Sequence, residues 1–195
     1  MHETPETGNS RYLFYMHGLI VEGTTGRPQS RDHGVYEYPE IVKALSAQGF
    51  TVVSEIRPAN CDIKAYAQKV AAEVQTLLDE GVSEEQITVV GASKGGMIAA
   101  TVSHMLKHPH IRYVILAGFF PSLARDGVQL HGEVLSIHDS SDQYTILPEL
   151  FFKNSPELTR SKMIVTDTGL GHGLLYTPHP AWVNETVNWA TAPSN

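Results

Sequence analysis

Short apolar runs alternate with longer amphipathic stretches along the chain. Six runs have the length of a buried strand, and they begin at Tyr12, Phe50, Ile87, Val114, Val134 and Met163. Helix-length segments separate most of them, with apolar positions at helical spacing in Tyr38–Gln48, Ile63–Glu80, Met97–Lys107 and Trp182–Trp189. Parallel strands require long crossover connections, which are usually helices. The pattern therefore predicts a three-layer α/β/α sandwich with about six mostly parallel strands.

The predicted elements form one continuous series. Residues 1–10 are polar and are interpreted as an N-terminal leader. Residues 11–195 are interpreted as a single domain, because no linker, repeat or low-complexity tract divides them. A chain of 195 residues is long enough to build one sizeable core.

Composition and charge narrow the class of protein. The 14 lysines and arginines against 21 acidic residues give a net charge of −7, which argues against a nucleic-acid partner. The apolar runs are too short to span a membrane, and the N-terminal residues lack the apolar segment of a secretory signal, so we expect a cytoplasmic protein.

The candidate metal ligands are few. The one cysteine, Cys61, excludes a Cys-based metal site. His104 and His108 have helical metal-ligand spacing but no acidic third ligand.

The segment from Gly91 to Gly95 reads Gly-Ala-Ser-Lys-Gly and matches the pattern G-x-S-x-G. It follows a predicted strand and precedes a predicted helix, which is the context in which this pattern forms a sharp turn that exposes the serine hydroxyl. Ser93 is therefore a candidate nucleophile. The N–H groups at the start of the following helix can stabilise an oxyanion. The alternative is a glycine-rich turn with an incidental serine.

A nucleophilic serine requires a base and a carboxylate that orients the base. In this architecture the acid and then the histidine follow the serine along the chain, each after a later strand. Asp139 and Asp142 both follow the fifth predicted strand, and His172 follows the last one in a glycine-flanked loop. His179 is an alternative base, but it lies between two prolines and is expected to begin the final helix.

With these motifs the chain resembles the α/β-hydrolase family over nearly all of its length. The resemblance rests on Met16-His17-Gly18 after the first strand, on the Gly-Ala-Ser-Lys-Gly turn, on the aspartate loop and on the Gly-His-Gly near the end. It implies the nucleophile Ser93, the acid Asp142 and the base His172. The family's acid usually lies several residues beyond its strand, which favours Asp142, while Asp139 fits an Asx turn.

The resemblance also implies an oxyanion hole formed by the backbone N–H groups of Leu19 and Lys94. The chain departs from the family pattern in having no room for an N-terminal hairpin and too short a connection between Gly118 and His131 for a lid domain. It is thus identified as an uncapped serine hydrolase that cleaves a small carboxylic ester, thioester or lactone through an acyl-enzyme, without a cofactor or metal. The alternative function is that of a non-catalytic binding or scaffolding module with the same fold.

Three arginines, Arg27, Arg31 and Arg57, are expected near the edge where the catalytic loops meet. In one interpretation they pair with nearby carboxylates, namely Asp32, Glu55 or Asp62. In the other, they form a cationic rim that binds a carboxylate or phosphate on an anionic substrate.

Overall fold

Six parallel strands form the main sheet of the computed structural model, which describes residues 10–146 and 148–193. The strands of the chain are β1 (Arg11–Met16), β2 (Gln29–Ser30), β3 (Gly34–Val35), β4 (Phe50–Val53), β5 (Ile87–Ala92), β6 (Arg112–Leu116), β7 (Gly132–Asp139) and β8 (Leu158–Thr166). The order in the main sheet is β4-β1-β5-β6-β7-β8, and every neighbouring pair is parallel. These six strands are the six apolar runs, so the predicted sheet is confirmed. The leader, apart from residue 10, lies outside the described residues.

Helices cover both faces of this sheet. They are α1 (Tyr38–Ser46), α2 (Ile63–Asp79), α3 (Lys94–Leu106), α4 (Pro121–Arg125), α5 (Glu149–Lys153) and α6 (Pro180–Thr191). Apolar residues of α1 and α6 share one buried cluster with one face of the sheet, and those of α2 and α3 share a second cluster with the other face. The three-layer α/β/α arrangement is therefore confirmed.

The strand β1 shows how the sequence divides the core between the two layers. Successive side chains of a strand point to opposite faces. Leu13 and Tyr15 accordingly lie in the cluster with α1 and α6, and Phe14 and Met16 lie in the cluster with α2 and α3. All four are buried, which explains why this strand reads as a continuous apolar run rather than an alternating one.

Several connections differ from the expected pattern. The helix α3 begins at Lys94, three residues before the predicted start, directly after the G-x-S-x-G serine. The loop from Gly23 to Gly34 contains most of the β2–β3 hairpin, which is antiparallel and was not predicted. The connection from β6 to β7 carries only the five-residue helix α4 and no lid domain.

Two findings concern features that the sequence argues against, namely a membrane-spanning helix and a metal site. No helix within residues 10–146 and 148–193 is both long and apolar enough to cross a membrane. The same residues contain no group of three or more His, Cys, Asp or Glu side chains that could hold a metal ion. His108, which was considered as a ligand, instead pairs through Nδ1 with Glu84 Oε1 at 2.9 Å.

Candidate active site

Ser93 lies in a strained turn between β5 and α3. Its φ of 53° and ψ of −116° are rare for a residue other than glycine. The turn depends on close backbone approach: a Cβ at Gly91 would lie 2.0 Å from the Gly95 carbonyl oxygen, and a Cβ at Gly95 would lie 2.0 Å from the Met16 carbonyl oxygen. The two glycines of the motif thus allow the backbone to turn so sharply that the partly exposed Ser93 side chain stands at the carboxyl edge of the sheet.

The structure brings Ser93, His172 and Asp142 together in one hydrogen-bonded series. His172 Nδ1 lies 2.7 Å from Asp142 Oδ2, and His172 Nε2 lies 2.9 Å from Ser93 Oγ. Because an ionised carboxylate only accepts hydrogen bonds, Nδ1 carries the proton and Nε2 is left to accept one from Ser93. The arrangement therefore prepares the imidazole to act as a general base towards Ser93.

The Asp142 side chain is fully buried beneath His172. Burial raises the pKa of the Asp142 carboxyl, but hydrogen bonds from the His172 ring and from the Tyr144 N–H outweigh it, so the pKa falls below its usual value. The Tyr144 ring meets the His172 ring edge-on at 5.2 Å between centroids. Asp142 is therefore ionised at neutral pH and is in place to orient the imidazole.

Asp139 is the other candidate acid. Within the described residues it forms no hydrogen bond with His172. Its carboxylate accepts hydrogen bonds from Ser141, Thr166, Thr168 and Gly171, with Thr168 N–H at 2.8 Å and Gly171 N–H at 3.2 Å. Burial alone would raise the pKa of the Asp139 carboxyl. The hydrogen bonds lower this pKa by more than burial raises it, so the net result is a strongly lowered pKa. Asp139 thus joins the loop after β7 to the loop that carries His172.

The two candidate oxyanion donors lie at the starts of two helical segments close to Ser93. Leu19 begins a 3₁₀ turn over Leu19–Val21, and Lys94 begins α3, so the N–H groups of both are at positions without a partner inside their own helix. A Cβ built on Gly18 would lie 3.7 Å from Ser93 Cβ, which places the first turn against the serine. The partial positive charge of the α3 N-terminus favours an anion at this point.

A cavity of about 330 Å³ opens beside the serine. Its lining is mostly apolar or aromatic: Gly18, Leu19, Ile20, Tyr36, Ser93, His172, Leu175 and Tyr176. The β2–β3 hairpin packs next to two of the lining residues: the centroid of the His33 ring lies 5.3 Å from that of Tyr176 and 6.4 Å from that of His172. The positions of Tyr36, Tyr176 and His33 near Ser93 were not predicted, since none of these residues lies in a recognisable motif.

The structure does not form the cationic rim. Arg57 is completely buried and pairs through Nε with Glu22 Oε1 at 3.2 Å, so its assignment as a substrate-binding residue is wrong. The alternative prediction, that Arg57 pairs with Glu55, Asp62 or Asp32, is also wrong, because its ion-pair partner is Glu22. Arg27 pairs with two other carboxylates, those of Glu37 and Glu40. Arg31 is exposed next to the hairpin turn and has no ion pair among the described residues.

His179, the alternative base, lies at the start of α6 as expected. Its Nδ1 accepts a hydrogen bond from the Ala181 N–H at 3.2 Å and caps the helix. It makes no contact with Ser93 in the part of the chain that the structure describes.

Comparisons with known proteins identify the architecture. No family model and no curated protein matches the chain. Among solved structures, it is similar to Arabidopsis thaliana SOBER1, with 13% identity, 94% of this chain and 100% of that chain covered, and a TM-score of 0.61. It is also similar to a predicted CIB-like hydrolase from Thermoplasma acidophilum, with 18% identity, coverage of 93% and 86%, and a TM-score of 0.60.

A third similar structure is a phospholipase/carboxylesterase from Dyadobacter fermentans, with 12% identity, coverage of 97% and 93%, and a TM-score of 0.63. The chain has the α/β-hydrolase fold. At identities this low the likeness establishes the fold alone, and it confirms the predicted fold class. In this α/β-hydrolase fold, Ser93, Asp142 and His172 all follow strands of the main sheet at its carboxyl edge.

Proposed function

We propose that this protein is a serine hydrolase that cleaves small esters. The observation that carries the proposal is the series from Asp142 through His172 to Ser93, with distances of 2.7 and 2.9 Å, at the mouth of a cavity. A strained serine with a base and a buried carboxylate is the arrangement that activates a hydroxyl for acyl transfer. The similarity to structures named hydrolase and carboxylesterase supports the same class.

The reaction follows from the positions of these groups. Ser93 Oγ attacks the ester carbonyl carbon while His172 Nε2 takes the hydroxyl proton, and the Leu19 and Lys94 N–H groups stabilise the resulting oxyanion. The tetrahedral intermediate collapses, His172 gives its proton to the departing alcohol, and the acyl group stays on Ser93. Water then attacks the acyl-enzyme with His172 again as base, which releases the carboxylic acid and restores Ser93.

The cavity favours a small acyl or alcohol group. A volume of about 330 Å³ lies at the lower end of the range for small-molecule pockets. The lining offers apolar and aromatic surface from Leu19, Leu175 and Tyr176, and it contains none of the three arginines. We therefore propose uncharged short-chain esters as the first substrates to test, with thioesters and lactones as the next chemical classes.

A fluorophosphonate probe distinguishes this activity from a non-catalytic binding module. We expect the wild-type protein to be labelled and Ser93→Ala to be unlabelled and at least about 10³-fold slower on p-nitrophenyl acetate. Ser122→Ala removes a partly exposed serine on α4, outside the site, and should keep both labelling and activity. An unlabelled wild-type protein, or hydrolysis retained in purified Ser93→Ala, would overturn the proposal.

A further inference from the structure

Below the candidate site lies a buried cluster of charges that the proposed reaction does not use. The side chains of Glu22, Arg57 and Lys94 are 2%, 0% and 15% exposed. Burying charges costs free energy even when they are paired, so such a cluster is weak evidence for a contribution to stability. Its position is informative, because it touches both segments that carry the candidate oxyanion donors.

Glu22 is the junction between these segments. It follows the 3₁₀ turn that begins at Leu19, and its carboxylate accepts hydrogen bonds from Lys94 Nζ at 2.8 Å and from Arg57 Nε at 3.2 Å. Lys94 Nζ also donates to the Cys61 carbonyl oxygen at 2.6 Å. One carboxylate therefore connects the turn that contains the Leu19 N–H to the residue that supplies the second N–H.

Arg57 fixes the other end of the same turn. Its Nη2 donates to the His17 carbonyl oxygen at 2.5 Å, and its backbone N–H donates to His17 Nε2 at 3.0 Å. Burial and the Arg57 charge lower the pKa of His17 to about 4, so the ring is neutral and Nε2 can accept. The Gly23 N–H donates to the Arg57 carbonyl oxygen at 2.8 Å. Arg57 thus holds the chain on both sides of Leu19–Val21, at His17 and at Gly23.

We propose that Glu22, Arg57 and Lys94 form a positioning unit that fixes the Leu19 and Lys94 N–H groups relative to each other. The inference rests on the proposed function, because the two N–H groups matter for catalysis only if an oxyanion forms between them. Oxyanion stabilisation depends on donors that are already in place before the reaction. Leu19 is itself 58% exposed, so packing of this residue does not hold the donor.

Glu22→Gln tests the unit with a nearly isosteric change. The neutral amide loses the charged bonds to Arg57 and Lys94, so the two donors should lose their fixed spacing. Removing an oxyanion donor outright costs about 10²–10³-fold in kcat. We expect Glu22→Gln to lower kcat on p-nitrophenyl acetate by about 10–100-fold and to change KM by less than about twofold, because ground-state binding does not use the donors.

A trifluoromethyl ketone gives a second readout of the same donors. Ser93 Oγ adds to the ketone carbon, the hydroxyl proton passes to His172, and the carbonyl oxygen becomes an oxyanion. Its dissociation constant should therefore rise in Glu22→Gln by about the same factor as kcat/KM falls. Lys94→Met, which keeps the backbone N–H but removes the bond to Glu22, should show both effects, and it serves if Glu22→Gln does not fold.

The matched control lies at the opposite end of the sheet. Glu133, near the start of β7, is also buried and pairs with Arg112 at 3.4 Å and with Arg160. Both Glu22→Gln and Glu133→Gln should lower the Tm, because each neutralises a buried charge that is paired with arginine, but Glu133→Gln should leave kcat and the ketone affinity at wild-type values. Wild-type kcat in Glu22→Gln and Lys94→Met, or an equal fall of kcat in Glu133→Gln, would overturn the inference.

Amide hydrogen exchange separates this inference from the proposed function. Residues 17–23 should exchange faster in Glu22→Gln than in Glu133→Gln, and this comparison requires no catalytic activity. If the wild-type protein fails to react with the fluorophosphonate probe, the proposed function fails. If exchange over residues 17–23 is the same in both variants, the positioning unit fails, whatever the activity.

Discussion

At the scale of single residues, two aspartates three positions apart have different surroundings. Asp142 is hydrogen-bonded to His172 Nδ1, whereas Asp139 joins two loops by hydrogen bonds from Ser141, Thr166, Thr168 and Gly171. Spacing along the chain did not distinguish them. The choice of Asp142 came from the family resemblance, and in the structure Asp142 is the one of the two that contacts His172.

Replacing Asp142 by asparagine should damage catalysis more than folding. The amide can donate to His172 Nδ1 and so favours the tautomer with its proton on Nε2, which cannot accept the Ser93 proton. We expect Asp142→Asn to lower kcat by about 10²–10⁴-fold with a near wild-type Tm. Steady-state kinetics and thermal unfolding measure the two effects. A kcat close to that of the wild type would remove Asp142 from the proposed triad.

Replacing Asp139 by asparagine should instead damage folding. Each carboxylate oxygen of Asp139 accepts a backbone N–H, from Thr168 on one side and from Ser141 and Gly171 on the other. In either orientation an amide NH₂ would face such a donor, which costs roughly 1–3 kcal/mol. Urea unfolding should show this loss for Asp139→Asn, while kcat per folded molecule should fall less than in Asp142→Asn. A larger fall of kcat in Asp139→Asn would reverse the roles of the two aspartates.

The same contacts predict how stability depends on pH. Hydrogen bonds hold the pKa of Asp139 far below the unfolded value of about 3.9. A lowered pKa in the folded state stabilises the protein above the unfolded pKa, and this contribution is lost as the pH falls towards the folded value. The difference in unfolding free energy between wild type and Asp139→Asn should be largest near pH 6 and should shrink below about pH 4. A difference that stays constant between pH 6 and pH 3 would contradict the role of the Asp139 charge.

At the scale of elements, the close approach of strands β1 and β5 to the start of helix α3 requires glycine at both ends of the G-x-S-x-G turn. A methyl group at Gly95 would overlap the backbone of Met16 on the neighbouring strand. By contrast, a methyl group at Gly18 meets its nearest atom at 3.6 Å, which is ordinary contact. The requirement for glycine therefore comes from the close approach of backbone segments.

This difference predicts opposite outcomes for two Gly→Ala changes. Gly95→Ala should yield little folded protein or a turn in which Ser93 is displaced, whereas Gly18→Ala should keep a Tm within a few degrees of the wild type. Soluble yield, thermal unfolding and probe labelling check both variants. A fully labelled Gly95→Ala protein with wild-type Tm would show that the turn can relax.

The sequence predicts long elements well and short ones poorly. Buried strands and amphipathic helices such as α2 extend over enough residues to show a period. The two-residue strands β2 and β3 and the five-residue helices α4 and α5 are too short to show one. The contact between Glu22 and Arg57 joins residues 35 positions apart in two loops, and no local pattern predicts it.

At the scale of the whole molecule, the parallel sheet places the ends of its strands at one edge. Ser93 follows β5, Asp142 follows β7 and His172 follows β8, so residues far apart in the chain meet there. This arrangement explains why Ser93, His172 and a choice between two aspartates could be predicted from chain order and strand ends. The aromatic walls of the cavity could not be predicted, because Tyr36 and Tyr176 lie in segments whose position depends on tertiary packing.

The size of that cavity and the short connection from β6 to β7 predict the preference for substrate length. Each CH₂ of an acyl chain contributes ~0.8 kcal/mol only while it is buried. The cavity of about 330 Å³ can bury only a short chain, and the connection through α4 provides no cover for a longer one. We expect kcat/KM on p-nitrophenyl esters to rise over the first few carbons from acetate and then to level off or fall towards palmitate. A steady rise to palmitate would show that a long apolar channel exists and would contradict the uncapped site.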